Sequence, residues 1–164
     1  GDGVALGLIN FSLKGYHKIE VSANEVIPIN LSIKSGNKHF YNIYSGGVRP
    51  GDSLTYALGL GLGSRVDLKE KWAMSFDLMA QTVFDNEFND LEFVQWYKFT
   101  PTIDYQPAKW ISIFLGPSVS ISIDQFEDEA GNYNADLGGF SVYEEDFQTG
   151  QFQIMAGGRF GLRF

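Results

Sequence analysis

The sequence predicts an all-β protein that closes into an antiparallel up-and-down β-barrel of about eight strands. Most of the chain alternates between apolar residues and polar or very small ones with a period of two. The alternating segments of the C-terminal two thirds are long for strands, and nowhere does a helical period last beyond two turns. The 164 residues also include 19 Gly, 14 Phe, 8 Tyr and 3 Trp, a composition typical of β-structure.

Five long segments are each predicted to form one strand: residues 54–68, 72–84, 92–105, 111–123 and 151–164. In the last of these, Phe160, Leu162 and Phe164 share one face, whereas Arg159 and Arg163 share the other. Each strand therefore has an apolar and a polar face. Roughly thirteen residues tilted by about 40° rise ~33 Å, which is enough to cross the ~25 Å apolar band of a membrane barrel.

Three shorter strands in the N-terminal third, residues 18–24, 27–34 and 39–48, bring the predicted total to eight. In the second, the apolar face holds Ile27, Ile29, Leu31 and Ile33, and the polar face holds Pro28, Asn30, Ser32 and Lys34. The facing of residues 39–48 stays open, because their aromatic residues do not alternate. We expect residues 17–164 to form the barrel and residues 1–16 to be a separate segment: an extra strand, a plug or the end of an upstream repeat.

Three features favour a transmembrane barrel of the outer-membrane type, with the polar face inward and the apolar face towards lipid. The polar face is rich in Gly and Ser, which suit a narrow interior, and aromatic residues gather near strand ends, as they do at lipid–water interfaces. Short connections (35–38, 68–71 and 106–109) alternate with long ones (45–53, 85–91 and 125–150), as on the two sides of an outer-membrane barrel. The alternative is a soluble lipocalin-like barrel whose apolar face points inward around a small hydrophobic ligand.

The composition excludes several other classes of function. The chain has no Cys, so disulfides, thiolate chemistry and Cys-based metal sites are excluded, and a net charge of −8 argues against a nucleic-acid partner. No apolar run approaches the ~20 residues of a membrane-spanning helix. No signal peptide precedes Gly1, although export requires one, so we expect a mature or trimmed sequence.

The C-terminal residues 157–164, GGRFGLRF, end on Phe164 and place Phe160 and Leu162 on the same face. This segment resembles the C-terminal recognition strand of small bacterial outer-membrane β-barrel proteins, although Arg159 stands where that strand often has Gly. The resemblance implies a Gram-negative outer-membrane location, contacts with outer-membrane lipid and lipopolysaccharide, and recognition of Phe160, Leu162 and Phe164 by the barrel-assembly machinery. Separately, LGLIN at residues 6–10 is similar to repeats that precede a barrel in some bacterial surface proteins.

The predicted interior contains charged residues of both signs, which must pair because an eight-stranded barrel is only wide enough for side chains to fill. We expect a structural salt-bridge network there; the alternative is an ion or proton path, or a gate. Its predicted members are Glu20, Arg65, Asp67, Asp77, Glu92, Lys98, Asp104, Arg159 and Arg163.

A second candidate site is the segment 124–150, which is predicted to be a long acidic surface loop. It carries eight acids and no base: Asp124, Glu127, Asp128, Glu129, Asp136, Glu144, Glu145 and Asp146. These carboxylates could contact an extracellular protein partner, or a divalent cation that bridges to lipopolysaccharide phosphates, but their spacing does not fit a calcium-binding loop. His17 and His39 are expected to be surface residues rather than metal ligands.

The sequence contains no catalytic or cofactor-binding pattern. There is no G-x-S-x-G elbow, and the Gly-rich residues 59–64 are predicted to lie inside a strand rather than before a helix. We therefore expect a protein that is not an enzyme and needs no cofactor or metal. The predicted function is a structural anchor or a surface-interaction protein with acidic extracellular loops. Two alternatives stay open: the lipocalin-like carrier, and a narrow, porin-like channel that would conduct ions in planar bilayers.

Overall fold

The computed structural model describes residues 15–24, 27–50, 54–85, 94–125, 140–147 and 150–164. Within this part of the chain there are nine β-strands and no helix. The strands are β1 (Tyr16–Asn24), β2 (Ile29–Gly36), β3 (Tyr41–Arg49), β4 (Thr55–Lys69), β5 (Trp72–Asp85), β6 (Val94–Ala108), β7 (Ile111–Gln125), β8 (Phe140–Phe147) and β9 (Gly150–Arg163). Of the predicted N-terminal segment 1–16, all but the last two residues lie outside the described residues.

Eight of the nine strands close into a ring. Strands β1 to β7 pair with their sequence neighbours in antiparallel fashion, and β9 pairs with both β7 and β1. Two reciprocal backbone hydrogen bonds between Ile19 and Phe164, 3.1 and 2.8 Å long, extend the β1–β9 seam by one residue pair. The predicted fold class, a closed antiparallel up-and-down barrel of eight strands, is confirmed.

Strand β8 corrects the prediction that residues 124–150 are one long loop. Strand β1 ends at Asn24, opposite Arg159, so it covers only the second half of one edge of β9. Residues 140–147 pair with the first half of that same edge, from Gly150 to Ala156. An uncovered strand edge presents unpaired N–H and C=O groups, and β8 satisfies those of β9 where β1 does not reach.

The two rims of the barrel differ in the length of their connections. Strands β2 and β3, β4 and β5, and β6 and β7 are joined at one rim, here called the lower rim, by residues 37–40, 70–71 and 109–110. In the first of these turns, the Asn37 side chain accepts hydrogen bonds from the backbone N–H groups of His39 and Phe40, 3.0 and 2.9 Å long. Strands β5 and β7, which precede the two longest connections, end at the opposite, upper rim at Asp85 and Gln125.

The alternation of the sequence places apolar side chains outside the ring and polar side chains inside it. In β2, Leu31 is 53% exposed, whereas its neighbours Ser32 and Lys34 are fully buried. In β4, Leu60 is 64% exposed and Arg65 is 7% exposed. Large apolar side chains are likewise exposed on every other described strand of the ring except β3.

One residue departs from the predicted faces. Ile27 was assigned to the outward apolar face with Ile29, but it is fully buried. It precedes β2 and lies in the turn after β1, where its backbone N–H donates a 2.7 Å hydrogen bond to the side chain of Asn24. The alternation of β2 begins only at Ile29. The orientation of Ile27 is therefore determined by the turn and not by the alternation of the strand.

We expect Gly116→Ala to destabilise the barrel by about 1–3 kcal/mol, because the added methyl group overpacks the wall. A Cβ at Gly116 would collide with the backbone carbonyl oxygen of Pro101 on the neighbouring strand, which cannot rotate away. The control is Gly158→Ala on the other side of β7, where the nearest atom to the new Cβ lies 3.6 Å away. Urea unfolding measures both changes; equal midpoints for the two variants would contradict the prediction.

Candidate functional site: the charged interior

The lower half of the barrel interior is filled by one group of side chains, to which every strand of the ring contributes. Their positions follow from the alternation, since each lies on the inward face of its strand. The group, here called the interior network, consists of Glu20 (β1), Lys34 (β2), Tyr41 (β3), Arg65 (β4), Asp77 (β5), Asp104 (β6), Phe114 (β7), and Arg159 and Arg163 (β9). All nine are classed as buried.

Glu20 is the most heavily bonded carboxylate of the network. Its Oε2 atom accepts hydrogen bonds of 2.8 and 3.0 Å from the Arg163 guanidinium and lies 3.0 Å from the Nζ atom of Lys34. Its Oε1 atom accepts a hydrogen bond from Arg159. Three cations from two other strands therefore converge on one fully buried carboxylate.

Asp77 binds two of the same cations. The Nζ atom of Lys34 donates to its Oδ2 atom over 2.5 Å, and Nη1 of Arg159 lies 3.3 Å from the same oxygen. The Tyr41 hydroxyl donates a 2.7 Å hydrogen bond to Oδ1. Lys34 and Arg159 thus each bridge Glu20 and Asp77.

Asp104 connects the network to the lower rim. Its Oδ2 atom accepts hydrogen bonds from Arg163 over 2.6 Å, from Arg65 over 3.0 Å and from the Ser75 hydroxyl over 2.7 Å. Because Arg163 also binds Glu20, all three carboxylates belong to a single connected set. Breaking such a buried set by removing one partner leaves a charge without compensation.

Aromatic rings also contact the cations of the network. The guanidinium carbon of Arg163 lies 4.6 Å from the centre of the Phe114 ring, and that of Arg159 lies 5.5 Å from it. Lys34 lies 5.1 Å from the centre of the Tyr41 ring. Ring faces attract cations within about 6 Å, so these rings offset part of the cost of removing the charges from water.

Four cations face three carboxylates inside the network, and a fourth carboxylate stands at its edge. Asp67 is about half exposed at the lower rim, with Oδ1 3.3 Å from Arg65 Nε and Oδ2 3.0 Å from Lys38 Nζ. It therefore belongs to the solvated end of the chain of ion pairs rather than to the buried part.

The structure brings together six of the nine residues predicted for this site. They are Glu20, Arg65, Asp77, Asp104, Arg159 and Arg163. Of the others, Asp67 lies at the rim, Lys98 is buried in the interior on β6 at the register position of Ser120, and Glu92 lies outside the described residues.

Two central members were missing from the predicted site. Lys34 was assigned to the polar face of its strand but not to the charged site, although that face alone would have placed it inside. Tyr41 lies in the strand whose facing was left open, because Phe40 precedes it and is exposed in the turn rather than on a strand face. If the strand had been predicted to begin at Tyr41 instead of residue 39, its alternation would have placed Tyr41 and Ile43 on the inward face.

Above the interior network, towards the upper rim, the interior holds both apolar and polar side chains. Ile27, Ala57, Val83, Trp96 and Met155 form one buried cluster there. Gln81 is buried beside Trp96, and Lys98 is buried one strand away from Met155. The ion pairs are thus concentrated in the lower half of the interior, whereas the upper half is mixed.

The other predicted positions are only partly described. Of the eight acids of residues 124–150, Asp124 is the second-last residue of β7, and Glu144, Glu145 and Asp146 belong to β8. Glu127, Asp128, Glu129 and Asp136 lie outside the described residues. His17 contacts the Ser35 hydroxyl over 3.1 Å, and His39 is exposed in a lower-rim turn. No group of three or more His, Asp or Glu residues in the described part of the chain could hold a metal ion.

The C-terminal residues Phe160, Leu162 and Phe164 are exposed on the outward face of the closing strand.

No family model, curated protein or solved structure matches this chain. No helix within the described ranges is long and apolar enough to span a membrane.

We expect Glu20→Gln to destabilise the protein by about 3–5 kcal/mol, the usual effect of breaking a buried ion pair from one side. The amide keeps the shape of the side chain but leaves Lys34, Arg159 and Arg163 short of one negative charge. The matched control is Asp67→Asn, which removes a half-exposed carboxylate and should cost about 0–1 kcal/mol. Urea unfolding of both variants provides the measurement, and an equally small effect of both would contradict the interpretation.

Proposed function

We propose that this protein is an outer-membrane β-barrel that anchors the chain in the bilayer and presents its upper rim for interactions at the cell surface. The observation that carries the proposal is the inverted distribution of side chains: apolar ones outside the ring, ionised ones inside it. In water such an arrangement would expose apolar surface around almost the whole barrel. In lipid the same surface is solvated by acyl chains.

The size of the exposed apolar surface supports this proposal. Soluble monomers rarely expose contiguous apolar patches larger than a few hundred Å². Here, exposed aliphatic or aromatic side chains occur on seven of the eight ring strands, for example Ile19, Leu31, Leu60, Leu78, Phe99, Val119 and Phe160. Closure of the ring between β1 and β9 further supports it, because a closed barrel is one of the two architectures that can span hydrocarbon with its backbone hydrogen bonds satisfied.

The two alternative functions each lack a supporting observation. A lipocalin-like carrier requires an apolar cavity inside the barrel, whereas the described interior contains the ion pairs of Glu20, Asp77 and Asp104. A channel requires a water-filled path, whereas the interior network and the apolar cluster above it occupy the lumen. The interior network is therefore best interpreted as a structural plug that holds the strands together.

The C-terminal strand agrees with this function. Phe160, Leu162 and Phe164 are exposed on one face of the strand that closes the ring, where the barrel-assembly machinery could contact them before closure. The exposed acids expected around the upper rim would then face the cell exterior, with a protein or cation partner.

Extraction and gel migration test the proposal directly. We expect the protein to require detergent for extraction, and to migrate faster on a gel without boiling than after boiling, because the closed barrel resists the detergent. The denatured chain of the same sample is the internal control. A protein that stays monodisperse in plain buffer would overturn the proposal.

A charged substitution on the outer face tests whether that face is surrounded by lipid or by water. We expect Leu60→Arg to destabilise the lipid-embedded barrel by about 2–4 kcal/mol, since Leu60 lies at the middle of β4 and an Arg there would face hydrocarbon. On a soluble protein, the same exposed substitution would change stability by less than about 0.5 kcal/mol. Urea unfolding from lipid vesicles distinguishes the two; a negligible effect would contradict a membrane location.

A further inference from the structure

Two neighbouring turns of the lower rim present three exposed lysines on one side of the barrel. Lys69 ends β4, Lys71 lies in the turn between β4 and β5, and Lys109 lies in the turn between β6 and β7. Gln106 joins the turns: its backbone N–H donates a 2.8 Å hydrogen bond to the Lys71 carbonyl oxygen, and its side chain donates a 3.0 Å bond to the Lys109 carbonyl oxygen. The three lysines therefore belong to one fixed surface.

Aromatic rings lie directly beside these lysines. The rings of Trp72 and Tyr105 contact each other across β5 and β6, with centres 4.9 Å apart. Trp110, in the second turn, is 67% exposed, the highest exposed fraction among the large apolar side chains described. We define the lower-rim patch as Lys69, Lys71, Trp72, Tyr105, Lys109 and Trp110.

The patch is basic although the chain carries a net charge of −8. Within the two turns, Glu70 is the single acid beside the three lysines. None of the three forms an ion pair with another described residue, whereas Lys38 in the third lower-rim turn is paired with Asp67 at 3.0 Å. The positive charge of these two turns is therefore not neutralised by a described acid.

We propose that the lower-rim patch binds the headgroups of an anionic phospholipid; this inference rests on the membrane location proposed above. Tryptophan and tyrosine rings prefer the boundary between hydrocarbon and headgroups, which sets the depth of the patch. Lysine ammonium groups just beyond that boundary are at the level of lipid phosphates and attract anionic headgroups. The partner is the phospholipid leaflet at the lower rim, and not the lipopolysaccharide expected at the upper rim.

Tryptophan quenching by brominated lipids tests the proposal. The protein is refolded into symmetric phosphatidylcholine vesicles that contain either brominated phosphatidylglycerol or, in the same proportion, brominated phosphatidylcholine. Trp72 and Trp110 report on the patch, while Trp96 is buried in the interior and gives a constant background. We expect the anionic lipid to be preferred at the patch at least about fivefold, and the preference to fall at high salt.

The triple variant Lys69→Gln, Lys71→Gln, Lys109→Gln should lose the preference, whereas Arg49→Gln, which removes a charge at the upper end of β3, should keep it. Equal quenching by the two lipids in the unmodified protein would overturn the proposal, as would a preference that survives in the triple variant. A barrel that inserts and shows heat-modifiable migration while lacking the preference leaves the membrane function intact. Failure to insert into either vesicle would overturn both.

Discussion

The rest of the structure depends on the compensation of charge among ions that are buried inside the barrel. Glu20, Asp77 and Asp104 come from three strands, and the four cations that bind them come from three others. Each cation except Arg65 contacts two of the buried carboxylates. None of these six strands can leave the ring without leaving an ion partly uncompensated, so the network links their stabilities to one another.

Small residues make that arrangement sterically feasible. At Gly63 on β4, an added Cβ would run into the ring of Tyr41 and the carboxylate of Asp77, which donate and accept the hydrogen bond at the centre of the network. The interior therefore alternates between bulky charged groups and positions with no side chain. A narrow ring can contain four cations and three carboxylates only because some of its inward positions are empty, which explains the glycine content of β4.

The sequence predicts the ring well because alternation is a local property. Each of the eight ring strands was predicted within a few residues, and six charged residues were placed together, since a side chain's face follows from its own strand. Strand β8 could not be predicted in this way. Its residues, FSVYEEDF, form a strand because β1 is too short to cover the whole edge of β9, and that vacancy exists only in the folded barrel. Ile27 and Tyr41 lie next to turns, where the alternation of the sequence does not predict which way a side chain points.

The register between β1 and β9 is determined by the inward and the outward side chains of both strands together. Glu20 and Arg163 are opposite each other in the ladder, as are Asn24 and Arg159. If β9 closed one residue out of register, with its side chains reversed, both arginines would point outward and Phe160, Leu162 and Phe164 would point inward. The buried Glu20 would lose two of its three cations at the same time. Both the loss of buried ion pairs and the burial of the outward apolar residues therefore disfavour a ring closed in the wrong register. Even where buried ion pairs add little net stability, they can determine which closed ring forms.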